Sequence, residues 1–570
     1  MKVGYKAAAG AALLALALTA CGGAGGDKPK AGSSQAAEQA KEQAAQLPGS
    51  QINALAYDQV SDGGTFTQAL SQWVAQWNYN QANGTHDTVN QVIEPMMPTM
   101  FIANDKAELS NNPDYVTEWK MEQKDGKQVV TYKLNEKAKW SDGTPITIKD
   151  FQAQLKALSG KDKKYQATST DGYDRVASVE QGASDHEVVV TYAKPYPDWP
   201  GMFSPLYPAA VNETPEAFNK SLIDKLSVTA GPFKLEKMDQ TTKTATLVRD
   251  DAWWGRKAKL DKIIFRALEN DATTNAFANG ELSGMQVNPI AADLQRAKGV
   301  ADVEIRKAAA PNWRHITVNG SSEFLKDKNV RQAVQLGINR ETITASDLKD
   351  LDWPVQVLNN HLYMNTHKGY VDNSGELGKY NPEKAKQLLD AAGWKLEGEY
   401  RKKDGKELNL RWLFPAAYPL SKQEGELVQA MLKEVGVKVT MDPIPDDKLF
   451  DDGFTPGNFD LGAFSWLGTP FPNGALPQIY KTPTGADNFG SNFPRIGTPE
   501  LDALIEQAVG ELDPQKYIEL GNQADKLIWD EVHTIPLYQR PDIYAAKKNV
   551  VNYGAFGYMS KDWTQVGFKK

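Results

Sequence analysis

A mixed α/β fold is predicted for this chain of 570 residues, and three observations predict it. Strand-like runs separated by Asp-Gly and Gly-Pro turns dominate up to about residue 310. Capped amphipathic helices in series, with short strands between them, dominate from about residue 330 to residue 530. After Ile535-Pro536-Leu537-Tyr538 the texture returns to short strands, so the C-terminus is expected to rejoin the first part.

Composition narrows the function classes. Hydrophobic content of 41% and charged content of 24% are those of a globular protein, and the length suggests roughly two to four domains. A net charge of -8 leaves no basic excess for phosphates, which speaks against a general nucleic-acid binder. The 14 Trp and 21 Tyr suit recognition surfaces as well as cores.

The N-terminus carries Lys2 and Lys6, then an apolar segment from Ala7 to Ala20 that is too short to span a bilayer comfortably. It ends Leu18-Thr19-Ala20-Cys21, which resembles a bacterial lipobox, with residues 1–20 as signal peptide and Cys21 as the lipidation site. Cys21 is the sole cysteine, so no disulfide framework or cysteine metal site accounts for it. Residues 21–51 are mostly Gly, Ala, Ser, Gln, Lys and Glu, and are expected to form a flexible tether. No later run approaches a membrane span, so the chain is expected to be anchored to a membrane and not to cross it.

Strands are expected around Trp119–Met121 and Val129–Leu134, flanking Lys124-Asp125-Gly126-Lys127, a tight hairpin turn. A helix follows from Lys149 to Leu158, then strands at Val176–Val179 and Glu187–Tyr192. Thr229-Ala230-Gly231-Pro232 turns into a strand at Phe233–Leu235, with further strands at Thr246–Val248 and Leu260–Arg266.

In the second half, Val330, Ala333, Val334, Gly337 and Ile338 make one helical stripe. Asn381 caps a helix with Pro382 at its first position and Gly393 beyond its end. Leu427, Val428, Met431, Leu432 and Val435 form another stripe before Gly436 and the strand Val437–Val439. Thr498-Pro499 and Asp513-Pro514 start two more helices. Between these groups, Phe459 to Gly474 begins as an apolar run and breaks into Gly, Pro and Asn, a rigid base that can present backbone and rings to a ligand.

Catalytic signals are absent: there is no G-x-S-x-G elbow, no H-E-x-x-H and no phosphate-cradling G-x-x-x-x-G-K-[ST]. Pairs such as Asp451-Asp452 read as solvated surface. The chain is expected not to be an enzyme and to need no cofactor or metal.

The landmarks, in order, resemble solute-binding protein family 5, the dipeptide- and oligopeptide-binding lipoproteins of ABC importers. The resemblance is carried by Tyr132-Lys133-Leu134-Asn135 through Trp140-Ser141-Asp142-Gly143-Thr144-Pro145, by Ala230-Gly231-Pro232-Phe233 and by Asn279-Gly280-Glu281-Leu282. It continues in Val330-Arg331-Gln332-Ala333 with Gly337-Ile338-Asn339-Arg340, and in Tyr380-Asn381-Pro382-Glu383-Lys384-Ala385 through Ala392-Gly393-Trp394. It implies a two-lobed periplasmic-binding-protein-like α/β fold with an extra N-terminal subdomain. Lobe I would comprise residues 52–95, 226–312 and 533–570, the extra subdomain 96–225, and lobe II 313–532. Chain crossings near Asn312 and His533 would form the hinge.

The same resemblance implies a monomeric, lipid-anchored receptor on the extracytoplasmic face of a bacterial cell membrane. It would close on an extended oligopeptide and pass it to the membrane permease subunits of an ABC importer. The family's Gly-Trp-x-Ala-Asp motif falls on Ser465-Trp466-Leu467-Gly468-Thr469, so Trp466 would line the cleft and the backbone of Ser465 and Leu467 would pair with ligand. Tyr79, Asn83 and Gly84 would form the facing wall, and Trp313 at the crossing would serve either cleft or packing. Thr469 stands where the family has an acid for a peptide's free amine, and a neutral hydroxyl cannot supply that charge-assisted bond. Alternatives are a same-fold receptor for an oligosaccharide, for nickel or for haem (His361 and His367 are the close histidine pair), and a secreted hydrolase.

Overall fold

A computed structural model describes residues 47–485 and 488–570. Cys21, the signal peptide and tether residues 21–46 lie outside the described residues. Residues 48–51, expected as the tether's end, are already pinned. The Pro48 carbonyl accepts from Ala309 N–H at 2.9 Å, and Gln51 bridges Ala555. Main-chain pairing needs no apolar side chains, so composition did not reveal it.

Strand β1 (Thr65–Leu70) opens the fold. A separate four-stranded antiparallel sheet follows, built from β2 (Val116–Lys124), β3 (Lys127–Leu134), β4 (Val176–Gln181) and β5 (Glu187–Tyr192), in the order β2-β3-β5-β4. Helix α1 (Ile148–Leu158) lies between β3 and β4 in the chain and starts with a capping box in which Asp150 accepts from Thr147 N–H at 3.0 Å. Strands β6 (Phe233–Asp239), β7 (Thr244–Arg249), β8 (Lys262–Ala267) and β9 (Gly284–Gln286) then surround β1.

Strand β10 (Val303–Val318) leads into the helical half. There α2 (Lys328–Gly337) and α3 (Pro382–Ala391) precede β11 (Asn409–Pro415), α4 (Pro419–Glu434), β12 (Lys438–Ile444) and β13 (Leu461–Trp466). Helices α5 (Pro499–Ala508) and α6 (Pro514–Glu531) come before β14 (Thr534–Lys547). The side chains of Asn381, Thr498 and Asp513 accept from first-turn N–H groups as their sequence positions require. Each such cap stabilises its helix by about 1 kcal/mol.

Ten strands form one sheet in the order β12-β11-β13-β10-β14-β9-β1-β8-β7-β6. The long antiparallel pair β10–β14 lies at the centre of this sheet, from Val303 opposite Lys547 to Thr317 opposite Thr534. Its register breaks between Ala309 and Trp313, opposite Gln539 to Pro541. Neither long strand is expected in full from the sequence. β10 has no counterpart among the expected strands, and β14 is one 14-residue strand where short ones are expected. Prolines 311, 536 and 541 interrupt any alternation, and from Trp313 to Val318 β10 is buried on both faces, so it shows no period of two.

Two large cores flank this pair. One gathers Phe66, Trp77, Tyr132, Phe151, Phe203 and Phe265, uniting β1 and β8 with the four-stranded sheet. The other gathers Val318, Val330, Leu389, Trp412, Val428 and Leu461 beneath the helices.

Candidate ligand-binding site

Strand β13 is paired on one side along its whole length, from Leu461 opposite Val318 to Trp466 opposite Trp313. On its other side β11 pairs only Leu461 and Gly462. The approach there is close: a Cβ on Gly462 would lie 3.0 Å from the Leu413 carbonyl oxygen. Beyond that point the edge of residues 463–466 has no strand beside it among the described residues. An unpaired strand edge at the base of an aromatic loop can take an extended chain as an added strand.

The loop after β13 is tied to the break in β10. Gly468 N–H donates to Asn312 Oδ1 at 3.1 Å, and a Cβ at Gly468 would lie 2.3 Å from the Pro311 carbonyl oxygen. Leu467 is 61% exposed and Ser465 half-buried. The Thr469 hydroxyl accepts from Phe471 N–H at 3.2 Å, closing a small turn. Buried Asn473 anchors the end of the loop, donating its N–H to the Tyr517 oxygen at 3.0 Å and its side-chain amide to the Tyr517 carbonyl at 2.8 Å.

Trp466 is half-buried, its ring parallel to His315 (centroids 6.0 Å apart) and to Phe493 (6.1 Å). Its indole nitrogen is buried without a hydrogen-bond partner among the described residues. His315 beside it is held well below the usual imidazole range, first by burial and then by the Arg314 charge, so it stays neutral. Trp313 is 4% exposed and packs with Leu358 and Met364, which makes it a packing residue under the loop.

The opposite group is arranged differently. Tyr79 is half-buried, and its N–H donates to the Tyr207 hydroxyl at 2.9 Å. Asn83 is exposed. Gly84 is buried, and a Cβ on it would lie 2.0 Å from the Asn78 carbonyl oxygen, so it serves a tight turn and offers no surface. The structure brings Trp313 and residues 465–468 together. Among the described residues no hydrogen bond or ring contact joins them to Tyr79, Asn83 or Gly84.

What does join the region of the four-stranded sheet to the helical half is a set of residues that sequence reasoning missed. Asp198 accepts from the Tyr517 hydroxyl at 2.9 and 3.0 Å, and burial pushes its carboxyl up to about 7. Arg175 and Lys194 pair with Glu506 at 2.8 and 3.1 Å. The aromatic- and proline-dense run Tyr196-Pro197-Asp198-Trp199-Pro200 is the sequence signal that could have drawn attention there.

No group of three or more metal-ligating side chains is poised for a cation among the described residues. His361 is buried against Asp525 at 2.6 Å and the Thr534 carbonyl at 3.1 Å, while burial pushes His367 down to about 4. No helix among the described residues is long and apolar enough to cross a membrane.

The family described as bacterial extracellular solute-binding proteins, family 5 Middle, matches residues 111–488. The oligopeptide-binding protein OppA of Mycobacterium tuberculosis (strain H37Rv) is 38% identical over 515 residues, covering 90% of this chain and 86% of that protein. The periplasmic EDTA-binding protein EppA superposes with a TM-score of 0.83 at 26% identity, over 91% of this chain and 99% of its own. The oligopeptide-binding protein AppA from Bacillus subtilis, solved with a nonapeptide, superposes with a TM-score of 0.77 at 20% identity, over 90% of this chain and 100% of its own. With a family match across most of its length and a close relative along nearly all of it, this two-lobed α/β chain belongs to the bacterial extracellular solute-binding proteins of family 5.

Proposed function

We propose that this protein is a lipid-anchored receptor that captures oligopeptides between its lobes and delivers them to the permease subunits of an ABC importer. The observation that carries the reading is the unpaired edge of residues 463–466, set over a Trp466 stack and followed by an exposed loop. Such an edge binds main chain irrespective of side chains, which is what a receptor for many peptides needs. The relative named for oligopeptide binding, along nearly the whole chain, supports the same ligand class.

In this reading the backbone of Ser465 and Leu467 pairs with ligand, Trp466 floors the site, and Tyr79 and Asn83 face it. Cys21 carries the lipid, and the protein acts as a monomer outside the cell membrane. The lobes divide as residues 52–95, 226–312 and 533–570 against 313–532, with 96–225 as the extra subdomain. The chain crossings near Asn312 and His533 act as the hinge in this reading, and the register break in β10 between Ala309 and Trp313 supports a crossing at the first of them.

The experiment is to purify the protein and identify its co-purified ligand by mass spectrometry. Peptides of mixed sequence are expected. A second reading, a small non-peptide solute, draws on the EDTA-binding neighbour with its TM-score of 0.83. Recovery of such a solute with no peptide would overturn the first reading in favour of the second.

A further inference from the structure

The segment around Asp198 reaches from the four-stranded-sheet region to the loop that follows β13. Asp198 is buried and bonded to Tyr517 at the start of α6, and Tyr517 holds Asn473 in turn. A Cβ on Gly474 would lie 3.1 Å from Asp198 Oδ2, and one on Gly201 would lie 2.7 Å from the Phe471 ring. Residues 471–474 are therefore held against the segment around Asp198, and Arg175 and Lys194 of that region also pair with Glu506 on α5.

Three phenols face the Asp198 carboxyl: Tyr517 from α6, Tyr363 from the segment preceding α3, and Tyr196 from its own turn. Burial raises all three, so none brings a charge. The nearby cations Arg175 and Lys194 are taken up by Glu506. A carboxylate sealed against a single hydroxyl donor lacks the bonds that would compensate its lost hydration.

We infer that Asp198 is a positioning residue for ligand capture, entering the closed interface as a neutral acid, so that closing the lobes takes up one proton and opening releases it. The inference rests on the reading of the protein as a cleft receptor. In the open form the water-facing carboxylate takes its proton from solvent, and the neutral acid is then sealed against Tyr517. On opening, the proton returns to water.

The sign of the pH dependence follows. Burial pushes the carboxyl sealed against Tyr517 up to about 7, whereas an open, hydrated one lies at about 3.9. Below about pH 4 both states are neutral and closure is independent of pH. Between about pH 4 and 7 the open state ionises and the closed state does not, so closure weakens with rising pH, by up to about tenfold per unit. Above about pH 7 both are ionised and the dependence levels off.

The test is small-angle X-ray scattering of the full-length protein from pH 4.5 to 8.5, with no ligand added. Compaction toward low pH is expected for the wild type, and a flat profile for Asp198→Asn. Tyr517→Phe removes the one hydrogen bond that lowers the Asp198 value, so its transition should move to higher pH. That variant also decides the matter if Asp198→Asn fails to fold. A flat wild-type profile, or a wild-type transition that Asp198→Asn or Tyr517→Phe leaves unmoved, overturns the inference. Mass spectrometry on the same preparations separates the two readings. A pH-dependent profile without recovered peptide leaves the proton latch standing and removes the oligopeptide reading, while recovered peptide with a flat profile does the reverse.

Discussion

Arg314 and Glu424 meet as a bidentate ion pair inside the helical lobe, with Nε 2.7 Å from Oε1 and both side chains buried. Arg314 follows the break in β10, Glu424 lies on α4, and the Ser421 hydroxyl accepts a further guanidinium N–H at 2.7 Å. Removing one partner leaves a buried charge, so Glu424→Ala should cost about 3–5 kcal/mol in urea denaturation. A loss below about 1 kcal/mol would show that water reaches the pair.

Asp347 lies beside this pair, and burial, followed by the Glu424 charge, raises its carboxyl strongly. A raised carboxyl contributes its stability below the unfolded value and loses it as pH rises toward the folded one. Asp347→Asn should therefore be more stable than the wild type at pH 8 and close to it at pH 4. Melting curves at the two pH values check this, and an equal offset at both would exclude a titrating Asp347.

Gly468 has no room for a side chain, because the Pro311 carbonyl lies where a Cβ would go. Gly468→Ala should displace the loop from the break in β10, cost about 1–3 kcal/mol and weaken ligand binding. Gly485→Ala, which meets open space, is the control and should change neither.

Trp313 and Trp466 are paired across β10 and β13 yet differ in burial. Trp313→Ala should lower stability by about 3–5 kcal/mol. Trp466→Ala should lower peptide affinity by at least about tenfold, or roughly 1.4 kcal/mol, with a smaller stability loss. Calorimetric titration with the co-purified peptides measures the split, and Trp466→Phe should recover part of the affinity through its ring.

The Thr469 hydroxyl caps a turn at Phe471 N–H, a role an aspartate also fills. Thr469→Asp should therefore fold normally. If this position faces the peptide's amino end, it should raise affinity for free-amine peptides over N-acetylated ones. Equal affinities for the two would place the amine elsewhere.

Much of this architecture is local in origin and therefore legible in the residues. Asn381, Thr498 and Asp513 cap helices where their side chains sit beside Pro at the first position, and Gly393 and Gly436 adopt the positive φ of helix ends. The hairpin at Asp125-Gly126 is equally local, both residues having positive φ. The site is legible only in part. The strand-and-loop at 461–474 is announced by its apolar run and its breakers, whereas the burial of Trp313 depends on distant neighbours such as Leu358 and Met364.

The sequence by itself determined the α/β class, the capped helices and the strand that leads into the candidate site, because capping, turn chemistry and periodicity act over a few residues. Only the tertiary structure decided the β10–β14 span, the unpaired edge at 463–466 and the meeting of Asp198 with Tyr517, 319 residues further along the chain. Each of these depends on which segments pack against one another. The burial that raises the Asp198 carboxyl comes from the packing of segments far apart in the chain.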